Sequence, residues 1–396
     1  MTDEPRDTSG ATLGVGMVGY AFMGAAHSQA WRAAHRFFDL PMTPRMSALC
    51  GRDAERLAAA ATKLGWESTE QDWRTLLARE DIDLVDICTP GDTHAEIAIA
   101  ALEAGKHVLC EKPLANTVEE AEAMAQAAAR ASARGVRSMV GFTYRRVPAI
   151  GLARRLVEEG RIGEIRHVRA QYLQDWISDP EAPLSWRLQK DRAGSGALGD
   201  IGVHIIDLTQ YITGDRIASV AGMMQTFVTE RPVPAEYGAL AGRAGAGRGE
   251  VTVDDAVAFL ARFGRGAFAT FEATRMATGR KNAIRIEVNG DRGSLAFDFE
   301  DMNLLHFYDA TEPAETAGFR RIVVTEPEHP YVAAWWPPGH LLGYEHGFVN
   351  QAADLVTAIA QDTDPAPSFA DGLQVQRVLR AVEDSADKLS WQEVPA

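Results

Sequence analysis

Lys112 stands in Glu111-Lys112-Pro113, directly after the apolar run 107–110, and Asp200 stands four residues before His204. A lysine at the C-terminal end of a buried parallel strand faces the crevice where open α/β sheets bind their ligands. A lone lysine is otherwise an ordinary solvated charge. Asp200 and His204 share one face of an expected helix, where such a pair is commonly only a local polar contact. Their spacing supplies no third ligand, so no metal site is expected. A third pattern is rich in glycine. The literal match Gly14-x-Gly16-x-x-Gly19 runs partly inside the first strand, and the register that suits a turn is Gly19-Tyr20-Ala21-Phe22-Met23-Gly24. A bend without Cβ atoms, followed by a helix N-terminus, is what a dinucleotide pyrophosphate requires. In this register Ala21 replaces the middle glycine, Gly16 belongs to the strand, and the helix starts near Met23.

The end of the second strand bears on the choice of nucleotide. It reads Leu49-Cys50-Gly51-Arg52-Asp53. An acid at this point bonds the ribose hydroxyls of NAD. The acidic position falls on Gly51, followed by Arg52. A glycine leaves room for a 2′-phosphate, and a guanidinium pairs with that phosphate or stacks on adenine. This tilts the reading towards NADP. Asp53 restores the acid if the strand ends two residues later, or it caps the following helix. NAD and NADP both stay open.

The elements that must hold these residues follow from the hydrophobic pattern. Between Ala11 and about Pro148, short apolar runs (11–19, 45–50, 83–90, 106–112, 137–144) alternate with helical stretches (26–38, 53–65, 94–105, 117–135) rich in Ala. Near-continuous apolar strands, each followed by a helix, indicate a doubly wound parallel sheet of the Rossmann kind, buried on both faces. After Pro148 the character changes. A helix at 149–160, a strand at 161–176 and a helix at 200–214 precede strands at 219–230, 254–264, 266–276, 282–290, 293–299 and 320–326, several joined by Gly-containing links. This is an α+β pattern with an open, largely antiparallel sheet. The expected division is a tail at 1–10, a nucleotide-binding domain at 11–148, and a substrate-binding and oligomerisation domain at 149–396. The tail lacks the basic start and apolar run of a signal peptide. The Gly-, Ala- and Arg-rich stretch 230–250 reads as a long mobile loop.

Composition narrows the setting. Of the 396 residues, 40 are Lys or Arg and 55 are Asp or Glu, so the formal charge is 40 − 55 = −15. An acidic surface repels nucleic-acid backbones and anionic lipid, so neither is an expected partner. Three cysteines (Cys50, Cys88 and Cys110) cannot staple a chain of this size. All three fall on expected strands as small buried groups, and a reducing cytoplasmic setting is expected.

Taken together, Thr89-Pro90, His94, AGKHVLCEKPLA (104–115), and Asp200 with His204 resemble the glucose–fructose oxidoreductase / inositol dehydrogenase / MocA family. GYAFMGAAHSQAW (19–31), Tyr144-Arg145-Arg146, YLQDW (172–176), PLSWRLQK (183–190), GSGALGDIGVHIID (194–207) and PSFADG (367–372) extend the likeness over nearly the whole chain. The resemblance implies a Rossmann domain, an open-faced sheet domain and a nicotinamide cofactor, NAD by the nearest likeness. It also implies a dimer or tetramer packed through the sheets. The implied reaction moves hydride between a secondary hydroxyl of a sugar and the nicotinamide. The implied sugar is a levoglucosan-like anhydrosugar or a pyranoside, oxidised at C3. By the same resemblance Lys112 stabilises the developing alkoxide, His204 takes the hydroxyl proton, and Asp200 holds the site electrostatically. Which of Lys112 and His204 is the formal base stays open. Tyr144, Gln174, Trp176 and Arg187 are expected to line the sugar site, Trp176 either as a platform for the ring or as packing. Gly19, Ala21, Phe22, Met23, Gly51, Arg52, Thr89, Pro90, His94 and Glu111 are expected on the nucleotide. Two other readings stand beside it: an NADPH-dependent reductase of a keto-sugar or imine, and a nucleotide sensor without activity, which would not need Lys112 and His204.

Overall fold

The structure is a computed structural model that describes residues 10–236 and 243–395. Apart from Gly10, the expected N-terminal tail lies outside the described residues, as does the tip 237–242 of the expected loop. The chain divides into two compact units. One runs up to Leu114 and adds Glu122–Gly141 and Tyr344–Asp371; the other comprises Ala115–Ala121, Phe142–Gly343 and the chain from Gly372 onward.

The first unit alternates strands and helices: β1 (Thr12–Val18), α1 (Phe22–Phe37), β2 (Thr43–Cys50), α2 (Ala54–Leu64), β3 (Ser68–Glu70), α3 (Trp73–Leu77), β4 (Leu84–Ile87), α4 (His94–Glu103), β5 (His107–Cys110), α5 (Val118–Ser132, which begins in the other unit) and β6 (Ser138–Val140). Among the described residues these strands form one parallel sheet in the order β3-β2-β1-β4-β5-β6. The order reverses between β1 and β4, which places the switch point of a doubly wound sheet between the loops after those strands. The strands are buried almost throughout, as their apolar runs require.

The second unit contains α6 (Pro148–Glu158), β7 (Ile165–Leu173), a short α7 (Lys190–Ala193), α8 (Val203–Thr213), β8 (Ile217–Gln225), β9 (Glu230–Glu236), β10 (Arg243–Glu250), β11 (Ala256–Phe263), β12 (Phe268–Thr274), β13 (Ala283–Gly290), β14 (Gly293–Asp298), β15 (Leu304–Asp309) and β16 (Arg320–Val323). Then α9 (Tyr344–Ala360) belongs to the first unit, and α10 (Phe369–Lys388) leads back to β17 (Gln392–Glu393) in the second. Among the described residues the large sheet runs β16-β15-β14-β13-β7-β12-β11-β8-β17. Only the β7–β12 pair in it is parallel. In β11 the buried residues Val257, Phe259, Ala261 and Phe263 alternate with exposed ones, so one face is core and the other is open. On the core side α6 and α8 pack against the strands.

One expectation needs correcting. The stretch 230–250 is not a loop over its described length: β9 and β10 pair antiparallel, with Glu230 opposite Glu250 and Pro232 opposite Arg248. Its Gly and Pro content disguised a strand pair anchored by one side chain. The fully buried Arg231 guanidinium donates to the carbonyls of Ile177 at 2.8 Å and Asp179 at 2.7 Å. Long-range bonds of that kind leave no local trace in sequence.

Candidate active site

In the first unit the turn after β1 is shaped by backbone. Gly14 and Gly16 lie inside β1, and Gly19 makes the turn. Its φ is +100°, its N–H donates to the Cys50 carbonyl at 3.0 Å, and a Cβ there would lie 2.7 Å from the Cys88 carbonyl oxygen. Only glycine fits. The following helix starts at Phe22 with Ala21 as its N-cap, which contributes no side-chain bond, and its first turn holds no acid. By contrast Asp53 caps α2 by accepting from the Arg56 N–H, and Asp72 caps α3 from the Arg74 N–H. The uncapped, acid-free start of α1 suits an anionic group at Ala21, Phe22 and Met23. A dinucleotide pyrophosphate therefore fits these residues.

Around this turn the expected nucleotide residues have diverse surroundings. Phe22 is exposed and its ring stacks on Tyr344 of α9, with centroids 6.2 Å apart. Thr89 accepts from the Thr93 hydroxyl at 2.7 Å. That hydroxyl also lies 2.8 Å from the Pro90 carbonyl oxygen. His94 is buried, its ring set between the Thr89 and Pro113 carbonyl oxygens at 2.9 and 3.0 Å. These bonds make His94 a tie between the loop after β4 and the turn that carries Lys112. Glu111 is buried too, and its carboxylate bonds His27 of α1.

At Gly51 the expected space for a 2′-phosphate is a correction. A Cβ on Gly51 would lie 2.1 Å from Cε1 of Tyr20, so an aromatic ring already fills that side. Burial, reinforced by the Asp53 carboxylate, raises the Tyr20 phenol above its ordinary pKa, so it stays a neutral donor near pH 7. Asp53 is the α2 cap, one of the two roles its position allowed. Arg52 is exposed beside it.

The second unit gathers side chains. Asp200 lies in a π-helical turn, Leu198–Gly202, that runs straight into α8, where His204 occupies the first turn. The His204 ring is 4.7 Å from that of Tyr144 and 5.9 Å from that of Tyr172. The Tyr144 and Tyr172 hydroxyls are 3.0 Å apart. Tyr172 donates to Asn282 Oδ1 at 2.7 Å, and Gln174 Nε2 donates to the same oxygen at 2.8 Å. Three expected sugar residues, Tyr144, Gln174 and His204, are thus brought together by Tyr172 and Asn282, which the sequence reading missed.

Asp200 has a companion of the same kind. The fully buried Arg275 donates to Asp200 Oδ2 at 3.2 Å, and its guanidinium lies 5.7 Å over the Trp176 ring. Trp176 is half-buried against Ile177, Leu184, Leu188, Val251 and Val253. Arg187 stacks on Trp186 at 4.4 Å; burial lowers its pKa, with Asp200 opposing the shift and Arg275 adding to it. Asp254 fixes the turn before Asp200 by accepting from the Gly196 and Leu198 N–H groups at 2.6 and 2.8 Å. No local spacing points to Arg275, Asp254, Tyr172 or Asn282.

Comparison with known proteins identifies the two halves of the chain. Residues 13–142 match an oxidoreductase family with an NAD-binding Rossmann fold, and residues 150–296 match the GFO/IDH/MocA C-terminal domain. Levoglucosan dehydrogenase of Pseudarthrobacter phenanthrenivorans is 45% identical over 388 residues, covering 97% of this chain and 98% of that one. The chain belongs to the Gfo/Idh/MocA oxidoreductase family. Among solved structures, an oxidoreductase domain protein from Kribbella flavida superposes with a TM-score of 0.94 at 74% identity, over 98% of this chain and 100% of that one. Levoglucosan dehydrogenase in complex with NADH and levoglucosan superposes with a TM-score of 0.91 at 44% identity, over 97% of this chain and 100% of that one. As a Gfo/Idh/MocA protein the chain carries the family's NAD-binding domain on residues 13–142. Among the described residues, no helix is long and apolar enough to cross a membrane.

Proposed function

We propose that this protein is an NAD-dependent dehydrogenase that oxidises a secondary hydroxyl of a levoglucosan-like anhydrosugar or related pyranoside, at C3. The observation that carries this reading is the near full-length, 45% identity to levoglucosan dehydrogenase in a chain that keeps Lys112 and the Asp200/His204 pair. Residues 11–148 hold the nucleotide, through the turn at Gly19 and the loop of Thr89 and Pro90, with Arg52 and Tyr20 towards the adenosine end. The second half, 149–396, holds the sugar and the subunit contacts, with α9 returning to the nucleotide-binding unit.

Bound NAD supplies the hydride acceptor. His204 takes the hydroxyl proton at a ring nitrogen, since an imidazole exchanges protons closest to neutral pH. The Lys112 ammonium donates to the same oxygen and stabilises the alkoxide as it develops. Asp200, paired with Arg275, sets the charge beside the turn that carries His204 into α8. Tyr144 and Gln174 offer hydrogen bonds to sugar hydroxyls, Arg187 adds a cationic donor, and Trp176 offers an apolar face.

The assembly we propose is a homodimer or tetramer formed through the open face of the large sheet. Met223, Leu260, Leu389 and Trp391 are exposed there by 64, 41, 87 and 45%. Contiguous apolar exposure on a sheet face is the usual mark of a contact surface. The three free, buried cysteines accord with a cytoplasmic setting. The test of function is a screen of anhydrosugars, pyranosides and inositols with NAD and NADP, followed by nicotinamide absorbance. Turnover of an anhydrosugar or pyranoside with NAD supports the reading, and silence across the panel refutes it. Light scattering reads the assembly: a monomer at micromolar concentration would exclude the proposed contact.

A further inference from the structure

Behind Lys112 lies a buried group of ionisable side chains that the reaction as described does not use. His27, on the inner face of α1, is 2% exposed, Asp86 of β4 0% and Glu111 4%. His27 Nδ1 lies 2.9 and 3.0 Å from the two Asp86 oxygens, and Nε2 lies 3.0 Å from Glu111 Oε1. A neutral imidazole has one N–H and would turn a lone pair towards one of the carboxylates. A ring set between two carboxylates is therefore held as an imidazolium. Burial works against that charge, but the Asp86 carboxylate outweighs it and raises the His27 pKa well above its usual value.

The groups around the ring are accounted for element by element. On α1 Trp31 donates its Nε1–H to Asp86 Oδ2 at 2.7 Å. After β4 the Cys88 thiol lies 3.5 Å from Asp86 Oδ1, and burial keeps that thiol protonated. On α9 Phe348 packs its ring 5.4 Å from that of His27 and brings no charge. After β6 Gly141 leaves space for the carboxylate, since a Cβ there would fall 2.7 Å from Glu111 Oε1. His27, Asp86 and Cys88 also have the residue types of a cation site. Hydrogen-bond separations and an indole N–H aimed at the shared carboxylate fit a proton-holding group better than a metal.

The second Glu111 oxygen faces the catalytic turn, where Oε2 accepts the backbone N–H of Lys112 at 3.2 Å. We infer that His27 is a positioning residue for the reaction: clamped between Asp86 and Glu111, it fixes the Glu111 carboxylate against the Lys112 backbone and so holds the turn from which the Lys112 side chain projects. The inference rests on the proposed function, in which Lys112 acts on the sugar hydroxyl. With His27 charged, Asp86, His27 and Glu111 sum to one negative charge. The chain thus reaches from the first helix to the catalytic lysine through one side chain from each of α1, β4 and the end of β5.

Two measurements on the full-length protein test this. In the first, 15N spectra of the histidines are recorded with and without NAD, and His27→Gln identifies the resonance. The expected result is a ring protonated on both nitrogens at pH 8, and a neutral His27 there overturns the inference. In the second, kcat, the sugar KM and the Kd for NAD are compared between the wild type and Glu111→Gln. We expect kcat to fall by about 10- to 100-fold through misplacement of the amine, with the Kd for NAD changed less than about 2-fold. A merely structural role would lower the melting temperature and leave the kcat of the folded variant within about 2-fold of the wild type, and that result overturns the inference. A wild-type protein inactive on every sugar refutes the proposed function, and the inference with it. An active wild type whose Glu111→Gln variant keeps its kcat refutes the inference alone.

Discussion

At the turn after β1, the groups proposed to meet the nucleotide are those of the backbone: Gly19 gives the bend, and the start of α1 carries neither side-chain cap nor acid. Around His204 they are side chains held by other side chains, with Tyr144, Tyr172, Gln174 and Asn282 bonded in one network. A backbone site binds what every dinucleotide shares, and its geometry tolerates exchange of the side chains around it. A side-chain site can be retuned one residue at a time, and in the proposed function preference for a particular sugar resides there. Under the same proposal Lys112 is the exception in the first unit, a reacting side chain carried on a backbone turn.

Substitutions can break that contrast or sharpen it. The largest effect is expected for Lys112→Ala, with kcat lower by roughly 1,000-fold and NAD affinity unchanged by titration calorimetry. His204→Asn follows, with kcat lower by roughly 100-fold in steady-state kinetics. Gly19→Val probes the backbone site and is expected to weaken NAD binding about 10- to 100-fold, since the Cβ meets the Cys88 carbonyl and φ must change. Sugar binding to the NAD-free protein should be untouched in that variant. Asn282→Ala probes the side-chain site, raising the sugar KM about 10-fold with the NAD Kd constant, as loss of a half-buried acceptor shared by Tyr172 and Gln174 implies. Smallest is Gly51→Asp, which is expected to weaken NAD and NADP alike by about 5-fold because Tyr20 must move aside. A clean gain of NAD preference in that variant would instead show that the ring yields without cost.

The same contrast explains what could be read in the sequence. The parallel sheet, the turn at Gly19 and the lysine after β5 are encoded within a few consecutive residues, and the chain alone revealed them. Asp53 was open to two roles, and its bond to the Arg56 N–H decides for the cap. Arg275 reaches Asp200 across 75 positions, and Asn282 reaches Gln174 across 108. Pairings of that span have no periodicity to announce them. The Tyr20 ring over Gly51 is a failure of another sort. A glycine was taken as space for a ligand, whereas a neighbouring side chain takes that space. His27 looked like an ordinary helix residue because both of its carboxylate partners arrive from later strands. Helix α9 shows the limit most clearly, since it follows β7 to β16 of the sheet domain in sequence yet belongs to the first unit.

The central claim, hydride transfer from a sugar hydroxyl to NAD, is tested most directly by following absorbance of the reduced nicotinamide while purified protein is mixed with levoglucosan and NAD. The account predicts sugar-dependent NADH formation that Lys112→Ala abolishes. No NADH with levoglucosan or any related pyranoside, or equal rates in the Lys112→Ala variant, would contradict it.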